Sequence, residues 1–132
     1  MKKMKVLFVL LMSSLVLAGC STTRNSGLSV DSEYQRVLFG DSAMSSYLRV
    51  DDISTQVIND HTRGVVRLES LENANRTIEY RFSWYDDNGL EVNTKPSAWK
   101  QVIIGGRDMV SLSQVSISSK GKNFRLQVRA SN

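Results

Sequence analysis

Thr77-Ile78-Glu79-Tyr80-Arg81-Phe82-Ser83-Trp84-Tyr85 decides the fold class, because Ile78, Tyr80, Phe82 and Trp84 alternate with Glu79, Arg81, Ser83 and Tyr85. A period of two sends successive side chains to opposite sides of an extended chain, so the stretch reads as a strand with one dry face and one wet face. With aromatic residues at only 8% of the chain, three on one face are needed as filling between two sheets. A stacking platform for sugars is the weaker reading of the same row. Asp86-Asp87-Asn88-Gly89 then closes a hairpin, since Asn and Gly accept positive φ, and Leu90-Glu91-Val92 returns the chain.

The same period recurs outward from this strand. Upstream, Val65 to Leu71 places Val66 and Leu68 opposite Arg67 and Glu69, with Asn73-Ala74-Asn75 as the turn between. Before it, Asn59 to Gly64 reads as a turn, and Tyr47–Val50 and Ser54–Ile58 as strand pieces separated by an irregularity at Asp51-Asp52. Tyr34 to Phe39 reads as a weak first strand, followed by a short helical turn over Ser42 to Ser46. Downstream, Trp99 to Ile104 and Met109 to Leu112 flank a turn at Gly105-Gly106. Phe124 to Arg129 alternates cleanly and reads as the closing strand of a sheet. Short strands at this spacing, with no helical period, predict an all-β chain of antiparallel sandwich or barrel type with about seven strands.

The N-terminus differs in kind. Lys2, Lys3 and Lys5 precede an apolar stretch from Val6 to Val16 that is too short to cross a bilayer, and Leu17-Ala18-Gly19-Cys20 follows. This resembles the lipobox of bacterial lipoproteins, in which a thiol at this spacing receives a diacylglyceride, the preceding peptide is cut and the new amine is acylated. The resemblance implies residues 1–19 as signal peptide, Cys20 as the lipidated residue and the membrane as partner through it. Two or more acyl chains hold a protein stably where one does not. In the sorting rule of such proteins an Asp after the cysteine retains them at the inner membrane. Ser21 stands there, which implies the periplasmic face of the outer membrane. Ser21 to Asp31 is small and polar and reads as a tether spanning roughly 15–20 Å, so that residues 20–33 form lipidated cysteine and tether and residues 34–132 the folded domain.

Composition excludes several function classes. The formal charge is +4, with 17 basic and 13 acidic residues, but three lysines and no acid lie in residues 1–20, so the remainder is nearly neutral. Nucleic acid is therefore not an expected partner. A single His, a single Cys and no Gly-x-Ser-x-Gly elbow offer neither a nucleophile and base pair nor a zinc ligand set, so no catalytic residue, metal or cofactor is expected. His61 reads as an exposed turn residue among Asn59, Asp60 and Thr62. Asp86-x-Asn88-Gly89-x-Glu91 superficially matches the start of a calcium loop, yet Gly89 follows Asp86 too closely and a hairpin is preferred.

Tyr80-Arg81-Phe82-Ser83-Trp84-Tyr85-Asp86-Asp87-Asn88-Gly89, followed in order by Trp99, Gly105-Gly106 and Phe124-Arg125-Leu126, resembles the YcfL family of small periplasmic lipoproteins. Where members of that family have an acidic residue soon after the double glycine, Arg107 stands before Asp108. The resemblance implies an immunoglobulin-like β-sandwich without catalytic activity and a link to cell-wall synthesis, through genes that can lie beside that of a lipoprotein activator of a peptidoglycan synthase. The expected function is a non-enzymatic module that binds another envelope protein; the alternative is a module for a small ligand or glycan. Candidate contact residues are Tyr85, Trp99, Arg125 and Arg129. The two arginines have a second reading as guards of an edge strand.

Overall fold

The computed structural model describes residues 29–31, 35–93 and 95–132. Eight strands run as β1 (Ser29–Asp31), β2 (Arg36–Phe39), β3 (Leu48–Ile58), β4 (His61–Ser70), β5 (Arg76–Tyr85), β6 (Lys100–Ile104), β7 (Met109–Val115) and β8 (Asn123–Ala130), with a 3-10 turn at Ser42–Ser46. They form two sheets, in the orders β1-β2-β8-β5-β6 and β3-β4-β7. This is an immunoglobulin-like sandwich in which β3, β4 and β7 take the places of strands A, B and E, and β5, β6 and β8 those of C, C′ and F.

The alternation in β5 works as the sequence predicts. Ile78, Phe82 and Trp84 are fully buried and Tyr80 packs partly buried against them. Phe124, Leu126 and Val128 of β8 and Val37 and Phe39 of β2 complete that sheet's inner face, and Val66, Leu68, Leu112 and Leu48 face them from the other sheet. Gly64 of β4 lies beneath the ring of Phe124, where a Cβ would stand 2.7 Å from two ring carbons. Its lack of a side chain is used for close packing and not for a turn.

Several expectations are corrected. Phe124 to Arg129 does not close a sheet: β8 lies between β2 and β5. The sandwich is not wholly antiparallel either, because β2 pairs with β8 in parallel, Arg36 opposite Arg125 and Phe39 opposite Val128. A parallel pair needs a long connection, and here almost the whole domain supplies it. The Asn59–Gly64 turn shrinks to Asn59 and Asp60, whose φ values of 48° and 64° make a two-residue hairpin between Ile58 and His61. The two upstream strand pieces are one strand with a bulge between Val50 and Asp52. Ser29–Asp31, read as tether, pairs antiparallel with β2. Leu17, Ala18, Gly19, Cys20, Ser21 and Tyr34 lie outside the described residues.

Candidate functional site

Registration of β5 against its neighbours brings the outward side chains into rows. Glu79 stands opposite Arg129, Arg81 opposite Gln127 and Ser83 opposite Arg125. On the other side Tyr80 pairs with Lys100, and one step further the same register sets Trp99 beside Arg81. The polar half of the deciding strand thus becomes the middle of a wet sheet face.

Tyr85, Trp99, Arg125 and Arg129 all belong to this face. The guanidinium of Arg129 lies 4.0 Å from the centre of the Trp99 ring, and that of Arg81 4.5 Å from the same ring. Arg125 lies 5.2 Å over Tyr85. The attraction is that of a cation for the negative face of a π system, strongest for Trp. Two like charges over one ring are held by neighbours: Arg129 Nε donates to Glu79 Oε2 at 2.7 Å, and Arg81 Nε donates to Gln127 Oε1 at 2.5 Å. In both, the Nε is engaged, so these bonds leave the terminal amino groups, the fork that matches carboxylate and phosphate oxygens, unused. A cleft of about 650 Å³ opens here, lined among others by Leu38, Asp41, Arg81, Trp99, Gln127 and Arg129.

Arg81, Glu79 and Gln127 are the members that sequence reasoning missed. The signal was present, since all three occupy outward positions of alternating strands, but which strands adjoin is a tertiary matter. The edge-guard reading of Arg125 and Arg129 fails because β8 is interior and neither side chain has an edge to guard. Asp41 is partly committed, its Oδ1 accepting from Ala43 N at 2.9 Å as the cap of the 3-10 turn.

The other candidates are occupied with structure. His61 is half-buried at the start of β4, not in a turn, and its Nδ1 lies 2.7 Å from the carbonyl of Ser116. A carbonyl only accepts, so Nδ1 carries the proton and ties β4 to the end of β7. Asp86 Oδ1 accepts from the backbone of Asn88 and Leu90, both at 2.9 Å, which spends that oxygen on its own hairpin. Among the described residues no three His, Cys, Asp or Glu side chains gather as a metal site.

A family model described as a protein of unknown function (DUF1425) matches residues 35–130. The structure is similar to that of cj0090 from Campylobacter jejuni, at 20% identity and a TM-score of 0.62 over 72% of this chain and 97% of that one. It is also similar to a DUF1425 family member from Shewanella sp. pv-4, at 20% identity and a TM-score of 0.59 over 83% of this chain and 94% of that one. A search of curated proteins gave no match.

Proposed function

The chain belongs to the DUF1425 family of unknown function, and from that premise we propose that it is a non-enzymatic interaction module of the bacterial envelope, of the YcfL type. It is anchored through Cys20 to the periplasmic face of the outer membrane, and it binds an acidic segment of another envelope protein, one engaged in cell-wall synthesis. Support for the anchor comes from Leu17-Ala18-Gly19-Cys20 and from Ser21 after it. The observation that carries the binding mode is the pair of guanidiniums on Trp99, each fixed through its Nε beside an open cleft.

The same observation weighs against the glycan module. A sugar that stacks on tryptophan needs a free ring face, and Arg81 and Arg129 compete for that surface. A photoreactive residue in place of Gln101, which neighbours Glu79 on this face, is expected to capture an envelope protein in intact cells. Arg81→Glu with Arg129→Glu is expected to reduce capture at least about tenfold, since like charges facing an acidic partner cost a kcal/mol or more. Undiminished capture by the double variant, or a thermal shift of the wild type with a glycan and no capture, would replace this reading.

A further inference from the structure

We infer that β7 is a self-pairing edge, through which two copies of this chain join their three-stranded sheets into one across a twofold axis at Leu112. The inference does not depend on the Trp99 face, which lies on the other sheet.

The open edge follows from chain length. In a constant-type immunoglobulin sandwich a strand D lies beside E. Here β7 stands in the place of E, and only Gly105 to Asp108 separate it from β6, too few to hold a strand of the same sheet. Among the described residues β7 pairs with β4 alone. The direction of its free groups can be read from both ends. Ser70 N donates to Asp108 O and Ser116 N donates to Thr62 O, so the even-numbered residues turn their backbone groups toward β4. By alternation Met109, Ser111, Ser113 and Val115 turn theirs outward.

Exposed strand edges normally carry a guard. β3 has a bulge between Val50 and Asp52 and the charges of Arg49, Asp51 and Asp52, β6 begins with Lys100, and β1 has three residues. β7 reads Met-Val-Ser-Leu-Ser-Gln-Val, with no charge, proline or glycine.

Its sequence is also complementary to its own reversal, and this selects a second copy as the occupant. An antiparallel pairing centred on Leu112 sets Ser111 against Ser113 of the other copy and Met109 against Val115. Met109 and Val115 are 50% and 42% exposed and share one side of the sheet. Each would cover the other, at both ends of the pairing. Ser111 and Ser113, with outward backbone groups, would exchange two hydrogen bonds per pair. No charge meets a like charge on β7.

Sedimentation of the full chain in a mild detergent tests this. Wild type is expected at twice the monomer mass, and Ser111→Glu with Ser113→Glu at monomer mass with a melting temperature no lower than that of wild type, since the new carboxylates face Arg67 and Arg63 within the chain but each other across the pairing. Ser113→Pro provides a second variant, since its outward N–H bonds nothing within the sheet and the fold loses only the bond that the Ser113 hydroxyl accepts from Arg63 Nη2 at 3.2 Å. A wild type that stays monomeric across the micromolar range overturns the inference. So does a dimer that survives both variants, or a photoreactive residue at Ser113 that captures a different protein and not a second copy.

Discussion

Trp84 is fully buried, with the ring of Phe82 nearly parallel at 6.3 Å and that of Phe124 tilted at 5.6 Å. Its neighbour in the pattern, Arg81, is held by Gln127 and Trp99 on the wet side. Trp84→Ala is therefore expected to cost about 3–5 kcal/mol through lost burial and a cavity. Arg81→Ala should cost about 1 kcal/mol or less, and the difference would show as separated midpoints in denaturant melts. Tyr47 offers a test of a different kind. Burial pushes its hydroxyl above the ordinary value of 10.0, opposed in part by Arg76, whose guanidinium lies 4.8 Å over the ring. Because the folded state holds the proton more tightly, this contribution is intact below pH 10 and is lost as the pH rises through the folded value. Stability of the wild type should fall more steeply above pH 10 than that of Tyr47→Phe, as read from melting temperatures across an alkaline series.

At the scale of elements, the β6–β7 link from one sheet to the other is a closely docked turn. Gly105-Gly106 reads from sequence only as a turn, and nothing there distinguishes the two glycines. They are not equivalent. A Cβ on Gly106 would stand 1.9 Å from the backbone oxygen of Asn73, whereas one on Gly105 would meet only the Asp108 side chain at 3.3 Å. Arg107 adopts φ 58°, its N–H donating to Glu72 O at 2.7 Å, and its Nε donates to Asn73 Oδ1 at 3.0 Å. The β6–β7 link is thus docked on the β4–β5 link. Gly106→Ala is expected to destabilise by about 3 kcal/mol, with Gly105→Ala well under half of that, in the same denaturant melts. Local pattern located both turns, but the contact between them joins residues more than 30 positions apart, beyond the reach of any local signal.

For the whole molecule, the proposed location rests on one atom. A hydroxyl is a far poorer nucleophile than a thiol at neutral pH, so Cys20→Ser should abolish incorporation of a palmitate analogue. Equal labelling of variant and wild type would remove the anchor from the proposed function. The strands themselves were legible because a two-residue period is a local consequence of extended backbone geometry; β5 and β8 needed nothing more than alternation of apolar and polar residues. Tertiary structure alone decided which strands adjoin. A strand carries no mark of its neighbour, so β8 reads equally well as an edge or a centre, β2 as parallel or antiparallel, and Arg125 and Arg129 as edge guards or as part of a cation and aromatic face. The sequence by itself determined which side of β4, β5 and β8 is wet, since burial of apolar area depends on residue type and pleat. That Arg81, Trp99 and Arg129 meet depended on the registers of three strands distant in sequence, which only simultaneous packing of the two sheets selects.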